Sequence, residues 1–227
     1  MAGNAATRSE SDSLGSIEID AERWWGPQTE RARRLFRIGA EHFPPGLIRA
    51  MGLMKEAAAE ANLALGELPR EIAEPIIAAA REIAEGKMDA EFPLPVWQTG
   101  SGTQTNMNAN EVIANRANAS LGKPRGSRDP VHPNDHVNRG QSSNDNFPTV
   151  MHIAAAEVVQ HHLIPRLKVL HESLLRRARE WESIVKVGRT HMMDAVPMTL
   201  GQEFGGWARQ VELGIERLRD TMPRLLS

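Results

Sequence analysis

The feature that most constrains this sequence is a helical pattern that runs on past the point where a small domain would need it to end. Asn144 or Asp145 can cap it and Pro148 suits its first turn. Apolar residues then recur through Val150, Ile153, Val158, Leu163, Leu167, Leu170 and Leu174 towards Trp181. Pro165 should kink the run without ending it, because the period continues on both sides. At ~1.5 Å per residue, ~34 residues extend roughly 50 Å, too long for a helix of a small compact domain. A helix of that length belongs in a long bundle.

The flanking sequence fits this architecture. A short connector, Ile184 to Met198, leads to Thr199 and Gln202, which have capping-box spacing, and Phe204, Trp207, Val211, Ile215 and Leu218 then form one apolar stripe. Upstream, helices are expected over residues 29–39, 47–66, 69–85 and 105–121, with Pro75 a possible kink or break in the third. The fourth carries Asn106, Asn108, Asn110, Asn115 and Asn118. Asparagine is an indifferent helix former, so several of these should have assigned partners.

Composition narrows the chemistry. Without cysteine or tyrosine there is no disulfide, thiolate nucleophile, cysteine-ligated metal or phenolic acid. The 27 basic and 29 acidic residues leave no global basic footprint, which argues against nucleic acid as a partner. No apolar run approaches the ~20 residues of a membrane helix, and Met1 to Ser13 lacks the apolar core of a signal peptide. These features predict a soluble, cytoplasmic protein with a disordered tail over residues 1–13, a helical domain over 14–140 and a bundle domain from 141 to 227.

Three polar segments interrupt the helical pattern: Thr99 to Gln104, His132 to Asn146, and Gly188 to His191. All are rich in hydroxyl, amide or imidazole groups next to helix starts. Free N–H groups and positive dipole ends there favour carboxylates, which points to a small polyanionic substrate. Taken singly, each segment also has a plainer reading. Gly100 to Gly102 can be a tight turn and lacks the lysine and spacing of a phosphate loop, and Ser142-Ser143-Asn144 can simply cap the following helix.

His42, His152, His161, His162 and His171 read as surface or packing residues. The spacing of His132, Asp135 and His136 suggests metal ligands, although Pro133 disfavours a regular helix there and no zinc signature is present. His191, between two long helices and beside Thr190, is a candidate general base or proton relay.

The strings WQTGSGTQTNMNANEVIANRA (Trp97 to Ala117), VHPNDHVNRGQSSNDNFPT (Val131 to Thr149) and VGRTHMMDAVPMTLGQEF (Val187 to Phe204) resemble class II fumarate hydratase, of the fumarase/aspartase superfamily. So does the run from Asp12 through Trp25-Gly26-Pro27-Gln28-Thr29 to Ala59. Aspartases of the same superfamily typically have glutamine where His191 stands and Ser-Thr-Asn where Ser142-Ser143-Asn144 stands, so an ammonia lyase is the weaker branch. The resemblance implies a mainly α, fumarase/aspartase-like fold: an N-terminal helical domain followed by the first long helices of a central bundle. It also implies a homotetramer whose active sites draw on three subunits, and reversible hydration of fumarate to L-malate in the tricarboxylic acid cycle.

By the same resemblance, Ser101, Gly102, Thr103, Ser142, Ser143, Asn144 and Thr190 bind substrate carboxylates. His191 orients or activates water or relays its proton. His132, Asn134 and Asp135 form a second, peripheral dicarboxylate site, and no metal or organic cofactor is required. Two departures stand out. Asp129 occupies a position that is often basic, with Arg128 beside it, and the family's serine loop, Gly-Ser-Ser followed by Met-Pro-x-Lys-x-Asn, does not occur in the chain. The chain therefore reads as an incomplete, inactive N-terminal portion of such an enzyme. Competing readings are a short non-catalytic paralogue serving as an assembly module, and a metal-dependent hydrolase built on His132, Asp135, His136 and His191.

Overall fold

The computed structural model describes residues 6–227. These residues form seven α-helices and two antiparallel hairpins, a mainly α architecture, arranged in two compact units that divide at Ala154 and Ala155. The division falls inside a helix rather than at the expected boundary of 140.

The first unit opens with β1 (Thr7–Asp12) and β2 (Gly15–Asp20), paired so that Arg8 faces Ile19 and Glu10 faces Ile17. A disordered tail was the expectation for this stretch. Residues 1–5 lie outside the described residues, but Thr7–Asp12 is a strand. Its own sequence has no apolar alternation. The register comes from β2, whose Ile17 and Ile19 are buried, and from the Arg8 guanidinium, which donates to the carbonyls of Asp20, Arg23 and Trp25.

Four helices follow: α1 (Pro27–Leu35), α2 (Pro45–Ala64), α3 (Arg70–Ala84) and α4 (Thr103–Ser120). Pro75 leaves α3 continuous. The loss of one backbone hydrogen bond near the helix start is outweighed by the apolar face that buries Ile72, Ile76 and Ile83. Gly52 lets α2 and α3 approach closely, since a Cβ there would stand 2.4 Å from the backbone nitrogen of Ala84.

Helix α4 is buried on nearly all sides, so its polar residues need internal partners. Asn108 donates to Glu91 O, Asn115 donates to Trp24 O and accepts from Gly126 N, and Asn118 exchanges two bonds with the Val131 backbone. Whereas Asn110 is buried with neither side-chain atom hydrogen-bonded, these three asparagines tie irregular segments to one helix. Glu111 acts in the same way. Its carboxylate accepts N–H bonds from Gly26, Gln28 and Thr29 at 2.8–3.0 Å and caps α1 from a distance, where Gly26 offers no side chain.

The long helical run consists of α5 (Ser143–Val158), a π-helical turn (Val159–Leu163) and α6 (Ile164–Glu180). The expected irregularity at Pro165 takes this form because the proline ring has no N–H and collides with the carbonyl four residues earlier. A wider turn just ahead of it relieves both problems.

In the second unit, the segment expected as a connector is an antiparallel hairpin of β3 (Val185–Thr190) and β4 (Met193–Thr199) with a bulge near Gly188. It leads into α7 (Leu200–Leu225), where the capping box is complete: Thr199 Oγ1 accepts from Gln202 N at 3.0 Å and Gln202 Oε1 accepts from Thr199 N at 2.9 Å. Helix α7 packs on α6 through Gly201, where a Cβ would meet Ala178 O at 2.5 Å, and through Phe204, which stacks between Trp181 and Trp207. Ala208 and Ile215 carry the buried line of α7, while Trp207 remains 44% exposed. Among the described residues, no helix is long and apolar enough to cross a membrane.

Candidate active site

Helices α4 and α5 begin side by side. Gly102 precedes α4 with a left-handed φ of 68° and packs against Phe147 so closely that a Cβ would stand 2.2 Å from the ring. Phe147 is in turn held by an edge-on contact with Phe43. Glycine is required here twice over, by backbone conformation and by space. This packing puts Thr103 beside the start of α5, and a chain of hydroxyls joins the two helices: Ser101 Oγ to Thr103 Oγ1 at 2.9 Å, and Thr103 Oγ1 to Ser143 Oγ at 3.1 Å.

Ser142 precedes α5, with its carbonyl accepting from Asp145 N and Asn146 N and its hydroxyl accepting from Asn144 N at 3.3 Å. The capping reading of this residue is therefore correct, and it leaves the neighbouring groups available. Ser101, Thr103, Ser142 and Asn144 are solvent-exposed, and Ser143 is partly so. Two helix N-termini, each a positive dipole end, thus open onto one hydroxyl-lined surface suited to a carboxylate.

The His132 segment forms a separate feature. His132 caps a π-helical turn (Pro133–Val137), its Nδ1 accepting from Asn134 N and Asp135 N at 3.3 and 3.2 Å, while His136 Nδ1 accepts from His132 N at 2.9 Å. Asp135 Oδ2 also lies 3.1 Å from His132 Nδ1. A nitrogen that accepts two N–H bonds cannot donate to that carboxylate at the same time, and the capping geometry assigns it the acceptor role. Burial, foremost, moves the His136 imidazole below its usual range.

A cavity of about 320 Å³ adjoins this turn, lined by Arg128, His132 and Asn134 and on the other side by Asp12 and Glu111. Arg128 reaches it from a left-handed φ of 54°. Asp12 is paired with Arg31 and Glu111 accepts three N–H bonds, and the guanidinium of Arg128 is the cationic group of the lining. Asp129 is not among the lining residues. Its side chain is largely exposed and faces Lys123 at 4.0 Å. Among the described residues no three histidine, aspartate or glutamate side chains converge as a metal-holding group.

Thr190 and His191 lie in the second unit, at the tip of the β3–β4 hairpin. Thr190 pairs with Met193, so His191 and Met192 are the two loop residues, with φ of 53° and 61°. Positive φ at both loop positions matches the type I′ hairpin turn, which favours asparagine and glycine, so a histidine followed by a methionine costs backbone energy. His191 is exposed at this tip.

Sequence reasoning missed Glu111, and it missed Lys55, a buried lysine whose ammonium donates to Asn138 and Gln141 at 3.1 and 2.9 Å. Each is one charge among others on its helix, with Arg49, Glu56 and Glu60 in α2 and Arg116 in α4, and periodicity does not distinguish such a residue from a solvated one.

The sequence matches the lyase family over residues 15–227. The chain belongs to that family. This lyase chain is 61% identical to the class II fumarate hydratase of Caulobacter vibrioides, an alignment that covers 98% of the chain and 48% of that relative. It is 58% identical to the class II fumarate hydratase of Methylorubrum extorquens, over 97% of the chain and 47% of the relative. A crystal structure of recombinant class II fumarase from Schistosoma mansoni superposes with a TM-score of 0.92 at 41% identity, over 97% of the chain and 46% of that structure. The fold of the lyase is thus fumarase/aspartase-like, and the chain spans about half the length of the curated relatives it matches.

Proposed function

We propose that the chain supplies the carboxylate-binding part of a fumarate hydratase, which adds the hydroxyl of water to one olefinic carbon of fumarate and a proton to the other, giving L-malate. The observation that carries this reading is the meeting of Thr103 and Ser143, which joins two helix N-termini through hydroxyl groups. In the reverse direction a proton leaves a carbon beside a carboxylate, and negative charge builds on that group. Preorganised donors aimed at it are the largest expected contribution, each worth about 10²–10³ in rate. Ser101, Thr103, Ser142, Ser143 and Asn144 are the proposed donors of the first unit, with Gly102 allowing the close packing that brings Thr103 to Ser143, and Thr190 is the proposed donor of the second. His191 orients or activates the water, or relays its proton.

Arg128, His132, Asn134 and Asp135 are proposed as a peripheral dicarboxylate site, with Arg128 as its cation. The motif resemblance extends the proposal to a cytoplasmic homotetramer that needs neither metal nor organic cofactor. A chimera in which this chain replaces the matching half of the Caulobacter vibrioides enzyme tests the proposal. It should hydrate fumarate, followed by loss of fumarate absorbance, at a rate within about tenfold of the parent. A chimera that assembles but does not turn over contradicts the reading.

A further inference from the structure

Lys55 sits on the core-facing side of α2 with a side chain only 1% exposed, and among the described residues it forms no ion pair. Burying a cation without an anion is costly, and a residue of similar length such as methionine would avoid that cost. Lys55 therefore has to be explained by what its nitrogen holds. The two oxygens it reaches, Asn138 Oδ1 and Gln141 Oε1, are each shared with a second helix: Asn106 Nδ2 of α4 donates to the first at 3.0 Å, and Asn146 Nδ2 of α5 donates to the second at 3.0 Å. Asn138 Nδ2 also donates to Gln141 O, and Gln141 Nε2 to Val137 O. One nitrogen thus links α2, α4, α5 and the segment that runs directly into Ser142.

We propose that Lys55 is a positioning residue for the anion site: by bridging Asn138 and Gln141 it sets where Ser142, Ser143 and Asn144 stand relative to Thr103. The proposal rests on the reading of that surface as a dicarboxylate site. An amine has at least two N–H groups in either protonation state, enough for both oxygens, so the bridge persists when the lysine is neutral.

Amide hydrogen exchange on the 227-residue chain tests it. In Lys55→Met, amides of Ser142 to Asn146 should exchange about tenfold faster or more, while those of α3 and the melting temperature hold or improve. Affinity for L-malate should fall in parallel. Gln141→Leu, which leaves the α2–α3 core untouched, should loosen the same amides even if Lys55→Met does not fold. Unchanged exchange at Ser142 to Asn146 in the leucine variant, or acceleration spread equally over α3, would overturn the proposal. If the unmodified chain shows no L-malate binding, the dicarboxylate reading fails, and the exchange pattern still decides whether Lys55 positions the segment.

Discussion

Thr103 and Ser143 open two different helices, forty residues apart in sequence, and their hydroxyl oxygens meet at 3.1 Å. The contact exists because Gly102 admits the Phe147 ring where any other residue would place a Cβ. Local backbone chemistry, core packing and the proposed anion site are therefore linked through one glycine.

Gly102→Ala should destabilise the first unit by about 2–3 kcal/mol or more, since it combines an unfavourable left-handed φ with an overlap against a buried ring. Gly100→Ala is the control, because nothing lies within 4 Å of a Cβ there. Urea denaturation of both variants checks this; equal effects would contradict the packing argument.

Glu111→Gln should cost about 2–3 kcal/mol. The carboxylate accepts three backbone N–H bonds, and an amide would turn one acceptor oxygen into a donor facing a donor. A variant as stable as the parent in the same denaturation assay would show that the cap on α1 is dispensable.

Lys55 makes stability depend on pH. Burial lowers its ammonium from 10.5 to about 7. Below about 7 both folded and unfolded chains carry the charge, and the folded state bears the full cost of burying it. Between about 7 and 10.5 the unfolded chain holds a proton that the folded chain has released. Stability should therefore rise with pH across that window, by up to about 1.4 kcal/mol per unit. Lys55→Met should remove this slope, and denaturation curves from pH 6 to 10 that are parallel for the two proteins would contradict the assignment.

His191→Asn separates the turn from the chemistry. Asparagine tolerates the left-handed region better than histidine, so the β3–β4 pairing should persist. In a chimera that turns over, however, the variant should lower the rate by about 10² or more while L-malate binding is nearly retained. Equal losses in both would argue that His191 holds substrate and does not handle the proton.

The helices were legible because apolar periodicity is a local signal, their ends less so: α1 was expected over residues 29–39 and spans Pro27–Leu35, and Asn144 and Asp145, expected as caps, lie inside α5. Thr199 and Gln202 mark the start of α7, and four of the α4 asparagines have the internal partners expected of them, Asn110 being the exception. Strand β1 was not legible, since Thr7–Asp12 pairs through its backbone and buries only Glu10. The β3–β4 hairpin was hidden for a similar reason: its strands bury little beyond Gly188, and His191-Met192 is an unusual turn pair. The residues proposed for the anion site were found from long motif strings. Their support, Lys55 with Asn138 and Gln141, was not, because no local pattern records which lysine of a helix points inward.

Titration of L-malate into the isotopically labelled 227-residue chain, followed by amide NMR, tests the central claim most directly. Shifts should concentrate at the first turns of α4 and α5, around Thr103 to Thr105 and Ser143 to Asp145, and Thr103→Val should abolish them while leaving the fold intact. Saturable shifts outside these helix starts and the separate Arg128 to Asp135 site, or none at the two helix starts, would contradict the account.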